Sequence, residues 1–253
     1  MVSPLCSNWT EAAATVASEF RHAWRVYEAH GWGADEVQPL TNTSNERWGG
    51  LAVTMVDALD TMVLMGHTEQ YLAAVQWLRT HLPAKLARDV DVPFFEVAIR
   101  VLGGLLGAHT LSPDPALLAL AKQAGEALLP AFNSPSGVPF CSINLARANA
   151  SCPSSDFGES IPLAEMGSVQ LEFAELSRLL GDPKFALAAD GAVDRLRRTL
   201  RSRDGLYPSR IRPARATPAS REVGFGSGSD SFYETLLKRW LQSGEKTCRE
   251  KLP

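Results

Sequence analysis

The side chains that say most are carboxylates set among apolar residues, because a buried unpaired charge is costly and needs either a partner or a task. Glu96 follows Phe94 and Phe95 at the head of a run built from Val97, Ala98, Ile99, Val101, Leu102 and Leu105, with Arg100 one helical turn on. Two readings fit that spacing: a structural Glu96–Arg100 ion pair, or an acid tuned by apolar walls and a guanidinium. Asp57 and Asp60 share a helix face three positions apart, and Glu165 and Glu172 flank Val169 and Leu171. Hydrogen bonds to neighbouring helix ends are the expected role of Asp57 and Glu172. Asp230 heads the last helical segment, where capping is the default explanation.

Other chemistries find little support. The sequence contains no Walker loop, no HExxH and no GxSxG, and its five histidines are scattered without ligand spacing. Gly224-Phe225-Gly226-Ser227-Gly228 superficially resembles a phosphate loop, but no convincing strand precedes it and no lysine follows where one is needed. It is expected to be a flexible entry to the last helix.

The elements that must carry the carboxylates are helices. Asn8 and Glu11 form a capping-box pattern, after which Trp9, Ala13, Val16, Phe20, Trp24 and Tyr27 recur at helical spacing as far as Gly31. Leu51 to Val63 reads as a second helix, turning at Gly66-His67-Thr68 into a third that runs to Pro83. The unit of helix, tight turn, helix returns at Pro93–Leu111 with Pro115–Leu129, and at Leu163–Leu180 with Lys184–Leu200. Longer loops, Asn133 to Pro162 and Arg201 to Ser229, lie between units and hold at most short hairpin strands. The spacing is too irregular for a solenoid. An all-α toroid of helical hairpins fits, with function on its long-loop face.

Composition sets the outer bounds. The 253 residues are 45% hydrophobic and 21% charged, enough for a real core. The 25 Lys and Arg against 28 Asp and Glu give a net charge of -3 with no basic run among aromatics, so no nucleic-acid partner is expected. The most apolar run, Leu51 to Met65, is broken by Asp57 and Asp60, so no transmembrane segment is expected, and no secretory signal is visible. Cys6, Cys141, Cys152 and Cys248 contain no CxxC pair; Cys141 and Cys152 bracket a polar loop and are expected to lie close enough to bridge, as a local disulfide in an oxidising lumen or as unpaired thiols. Sequons at Asn8, Asn42 and Asn149 lean the same way.

Taken in order, the segments Trp32-Gly33-Ala34-Asp35-Glu36, Asp57-Ala58-Leu59-Asp60-Thr61-Met62, Phe95-Glu96 with Arg100, Gly103-Gly104-Leu105-Leu106, Ala164-Glu165, Gln170-Leu171-Glu172-Phe173 and Asp230-Ser231-Phe232-Tyr233-Glu234 resemble the class I alpha-mannosidases, glycoside hydrolase family 47. The resemblance runs from about 24 to 240. It implies an (αα)7 barrel that removes alpha-1,2-linked mannose from high-mannose N-linked glycans by inversion, in the ER or Golgi lumen, with calcium as cofactor. It also implies that Glu96 is the general acid, that Asp230 is a second essential carboxylate, and that Arg100, Phe95 and Glu165 bind substrate. Inverting hydrolysis uses one carboxyl group to protonate the leaving oxygen and another to activate water across a gap.

The departures matter too. The family's general-base glutamate and calcium-binding threonine match no position here, so the 253 residues are expected to form a single truncated catalytic domain, an incomplete barrel with a divergent tail at 241–253 and little activity of its own. Gly228 stands where related enzymes carry an arginine or leucine that helps select the mannose cut. The alternatives are a non-catalytic mannose-glycan recognition module in glycoprotein quality control, and a structural helical scaffold.

Overall fold

The structure is a computed structural model that describes residues 8–154, 156, 158–200, 202 and 204–244. Cys6, Cys248 and residues 245–253 of the expected tail lie outside the described residues.

Helix Trp9–His30 starts as its sequence predicts, with Asn8 Oδ1 accepting from the Glu11 backbone N–H at 3.2 Å. Its apolar stripe is covered only toward the C-terminal end: Trp24 and Tyr27 are buried, whereas Trp9 and Val16 are exposed. The covered end lands on an aromatic cluster with Trp32, and Phe20 stacks on His67 at 5.1 Å.

The expected helical hairpins are present. Leu59–Leu64 packs on Thr68–Leu86, Phe94–Leu111 on Pro115–Leu128, and Gln170–Leu180 on Lys184–Thr199. Gly66 at φ +73 and Gly181 at φ +66 supply the left-handed residues at two of the tight turns. At the third, Asp114 Oδ1 accepts from Ala116 N–H at 2.8 Å and Pro115 takes the first helical position.

Several boundaries differ from the sequence reading for local reasons. The helix expected through Leu51 to Val63 breaks at Ala58 into Val53–Asp57 and Leu59–Leu64, which leaves Asp57 at the end of the first segment. Thr68–Leu86 passes through Pro83, which sits in its last turn and forfeits little there. The span Leu163–Leu180 is interrupted at Ser168 and Val169, leaving the short helix Leu163–Gly167 before Gln170–Leu180. Phe94–Leu111 is continuous but carries a π-helical stretch over Val97–Leu102.

That helix also corrects the reading of hydropathy. Phe94–Leu111, not Leu51 to Met65, is the 18-residue helical window long and apolar enough to cross a membrane by composition, at a mean hydropathy of 1.3. Half of the window is buried inside the fold and it carries the Glu96–Arg100 pair, so it is a core helix here.

Short antiparallel strands lead into the functional helices. Asp91–Pro93 pairs with Ser142–Asn144, which pairs with Ala150–Ser151. Ile161–Pro162 pairs with Arg210–Arg212, which pairs with Thr217–Pro218. Cys141 and Cys152 lie close, as expected, with Cα atoms 4.8 Å apart, and they are bridged by a disulfide. The core divides into a large cluster running from Trp24 to Ala192 and a smaller one gathering Val138, Ile161, Leu163, Leu196, Tyr207, Ile211 and Phe232.

Candidate active site

The site begins where strands hand over to helices. Val92-Pro93-Phe94-Phe95-Glu96 and Ile161-Pro162-Leu163-Ala164-Glu165 follow one pattern: a strand ends in proline, the helix opens, and its third residue is a glutamate. Proline suits this junction because it fixes φ without needing a helical partner for its missing N–H. A carboxylate in the first turn faces the positive end of the helix dipole. The repeated pattern was readable in the sequence, but without the strands it carries no weight.

Glu96 Oε2 accepts from Arg100 Nε at 2.7 Å, and Arg100 Nη1 also donates to Asp57 Oδ2 at 3.3 Å. Glu96 keeps a quarter of its side chain exposed and Arg100 about 39%, so the pair is open to a ligand from one side. Asp57 is therefore an ion-pair partner of Arg100 rather than a cap on a neighbouring helix. Burial raises its carboxyl above the ordinary range, while the Arg100 bond opposes that shift. The π-helical stretch brackets Arg100, and such wide turns are frequent at functional sites.

A second layer holds Arg100 in place. Asp35, fully buried, accepts backbone N–H bonds from Trp48 and Gly50 at 2.8 Å and from Val53 at 3.3 Å. This fixes the loop that carries Trp48, whose indole donates to Glu36 Oε1 at 3.0 Å and lies 5.9 Å beneath the Arg100 guanidinium. Sequence reasoning did not single out Trp48, and it named Asp35 only within the Trp32–Glu36 segment of the family resemblance, without a role.

Glu165 lies within electrostatic reach of Glu96. Its carboxyl is raised first by burial and further by the Glu96 charge, while Arg210 pulls it down. The residues on either side of Asp230 contact the segment around Glu165. Gly228 O accepts from Ala164 N–H at 2.9 Å, and Ser168 Oγ donates to Ser231 Oγ at 2.9 Å, so both flanks of Asp230 are tied to the short segment that bears Glu165. Asp230 is exposed and is the first residue of its helix; the cap position belongs to Ser229, and Asp230 Oδ1 accepts from Ser231 N–H at 2.8 Å. Gly228 has φ +85, a conformation that a side chain at this position would strain. Phe95 is partly buried against the large core cluster.

Glu172 corrects the sequence reading. Its Oε2 is fully enclosed with no hydrogen-bond partner, and the backbone bond its carboxyl does accept is from its own N–H in the first turn of Gln170–Leu180, not from a neighbouring helix end. Burial pushes its carboxyl up to about 7. It packs over Gly103 and Asp60 packs over Gly107, both glycines on the helix that carries Glu96 and Arg100. A Cβ at Gly103 would come 3.4 Å from Glu172 Cγ, and one at Gly107 3.3 Å from Asp60 Oδ2.

Among the described residues no group of three or more His, Cys, Asp or Glu side chains is placed to hold a metal ion. These residues offer no carboxylate or imidazole cluster for the calcium that the resemblance implies.

Carboxyl groups gathered on a helical frame, one paired with a guanidinium and others shifted toward their protonated form, match the class of glycoside hydrolases that work with two acids. The profile of glycosyl hydrolase family 47 matches residues 19–252, and the chain belongs to that family. The match reaches beyond the motif span of 24–240 at both ends.

The chain is 44% identical over 230 residues to a mannosyl-oligosaccharide 1,2-alpha-mannosidase of Arabidopsis thaliana, covering 91% of this chain and 40% of that protein. It is 39% identical over 232 residues to the human endoplasmic reticulum mannosyl-oligosaccharide 1,2-alpha-mannosidase, covering 91% and 32%. The structure is similar to that of an alpha-1,2-mannosidase from Trichoderma reesei, with a TM-score of 0.80 and 27% identity over 92% of this chain and 50% of that one. The chain thus spans 40% or less of the length of these curated relatives.

Proposed function

We propose that these residues form the acid-bearing part of a site that removes alpha-1,2-linked mannose from high-mannose N-linked glycans by inversion, in the lumen of the ER or Golgi. The observation that carries the reading is the Asp57–Arg100–Glu96 ion-pair chain on a partly exposed helix face, with the raised Glu165 carboxyl beside it. In this reading Glu96 is the general acid, delivering its proton to the leaving oxygen directly or through a water. Arg100 holds the Glu96 carboxyl in position and balances its charge once the proton has left. Phe95 and Glu165 border the sugar, and Asp230 contacts it from the second wall. The helical hairpins are arcs of an (αα)7 barrel. The relatives that share the family are named for this activity.

The family's general base has no counterpart among these residues. Calcium is expected to serve the complete site through ligands other than those described here, and no step of this reading runs through it. The 253 residues alone are accordingly expected to turn substrate over poorly, since losing general-base assistance costs about 10²–10⁴-fold in rate.

The test is mannose release from a high-mannose N-glycan, first by the chain alone and then by the chain joined to the C-terminal half of a family relative. Recovery of calcium-dependent release in the joined protein, lost again in Glu96→Gln, is the expected result. Glycan binding without turnover in the joined protein would favour a recognition module. Absence of any sugar binding would leave a scaffold.

A further inference from the structure

Three sequons remain outside the hydrolase reading, and the structure explains the asparagine of two of them. Asn8 is a helix cap: its Oδ1 accepts from Glu11 N–H, and its Nδ2 reaches Glu11 Oε2 at 3.4 Å. Asn42 sits at φ +54, the left-handed region in which asparagine is enriched, in a turn held by Gln38, Thr41 and Thr43. Neither explanation applies to Asn149. It is exposed, its side chain bonds to nothing among the described residues, and the left-handed residue of its turn is Ala148. Only its backbone carbonyl is used, accepting from Asn144 N–H at 2.9 Å. Serine, aspartate or glycine would serve that geometry equally well.

A second, covalent observation points to the compartment. The Cys141–Cys152 disulfide closes a ring around this hairpin, so Asn149 lies on its rim and Ser151, the third sequon residue, is exposed beside Cys152. Disulfides of this kind form in oxidising compartments such as the ER lumen, where chains also meet lipid-pyrophosphate-linked oligosaccharide.

We propose that Asn149 is an N-glycosylation site. The step joins Asn149 Nδ2 to the anomeric carbon of the oligosaccharide; the bond from that carbon to the pyrophosphate oxygen breaks, lipid pyrophosphate leaves with the electron pair, and the amide gives up one proton. No oxidant or reductant is needed. In the folded protein Ala150–Ser151 is paired with the strand Ser142–Asn144, so transfer precedes strand pairing and closure of the ring. The finished fold then carries the glycan outward from an exposed turn. The inference depends on the compartment and not on the hydrolase activity, so inactivity of the chain leaves it standing.

The experiment expresses the whole 253-residue chain behind a secretory leader in eukaryotic cells and recovers both secreted and retained protein. The protein is denatured and treated with peptide N-glycosidase in heavy-oxygen water, and its peptides are mapped by mass spectrometry. Asn149 should appear as heavy-labelled aspartate, with a one-glycan mobility shift before and after the enzyme. Asn149→Gln and Ser151→Ala should each lose that label, and Ser151→Thr should keep it. Because the peptide is read after denaturation, a variant that folds poorly still gives an answer. An unlabelled Asn149 in the wild-type chain would overturn the proposal, as would a label confined to Asn42 or Asn8.

Discussion

The helix that bears Glu96 and the helix that bears Asp230 are held in different ways. Phe94–Leu111 is packed on several sides: Leu59–Leu64, Pro115–Leu128 and Gln170–Leu180 all touch it, and Phe94 meets the rings of Phe132 and Phe173. Asp230–Ser243 buries Phe232, Tyr233, Thr235 and Leu236 on one side but leaves Leu237 45% and Leu241 66% exposed on another. Glu96 is thus oriented by a closed core and a two-carboxylate grip on Arg100. Asp230 is oriented by two hydrogen bonds near its helix start. The Glu96 end is held firmly by its surroundings, and the Asp230 end is lightly anchored.

If that contrast is right, cutting into the first region costs most. Phe94→Ala removes a fully buried ring from the large cluster and should destabilise by about 3–5 kcal/mol. Urea denaturation checks this, and a loss below about 1 kcal/mol would mean that the helix is not held as described.

Overpacking the same helix should cost somewhat less. A Cβ at Gly104 would lie 2.7 Å from the Val56 backbone oxygen, which cannot rotate away, so Gly104→Ala should cost about 1–3 kcal/mol. At Gly103, where the neighbour is the Glu172 side chain at 3.4 Å, alanine should be tolerated better. Equal melting shifts for the two variants would remove the distinction.

Glu172 sits between the two regions, beside Gly103 of one helix and within reach of the Lys238 charge on the other. Its folded value of about 7 lies above that of an unfolded glutamate. Its contribution is therefore complete below about pH 4 and is lost as pH rises toward 7, because the unfolded chain ionises first. Glu172→Gln should match the wild type near pH 4 and exceed it by on the order of 2 kcal/mol near pH 8. A pH-independent difference in urea titrations would contradict this.

The smallest effect belongs to the open face. Leu241→Ser should change stability by less than about 0.5 kcal/mol, yet reduce any concentration-dependent association seen by sedimentation, since Leu241 is 66% exposed. Unfolding comparable to that of Phe94→Ala would show that this side is covered after all.

How much of this was legible follows the same division. The helical hairpins could be read from apolar periodicity and turn residues, because Gly66, Asp114 and Gly181 do in the structure what their types allow. The Glu96–Arg100 contact followed from helical spacing. The break at Ala58 and the π-helical stretch were not legible, since both are set by packing between helices and leave no local residue signature. Asp57 was read as a cap because its partner lies 43 positions away, beyond any local pattern. Glu172 was misread for the opposite reason: its Oε2 is enclosed without a donor, and its carboxyl turns to its own N–H instead of a neighbouring helix. Asp230 was taken for an N-cap one residue too late, a shift that only backbone geometry reveals.

In the proposed site Glu96 and Glu165 face one shared space. The direct measurement is a carbon-detected NMR titration of the glutamate carboxyls in the 253-residue chain, repeated in Glu96→Gln. Glu165 should titrate above the ordinary glutamate range because of its burial, and its midpoint should fall when the Glu96 charge is removed. A Glu165 midpoint that is unmoved by Glu96→Gln would contradict a shared site.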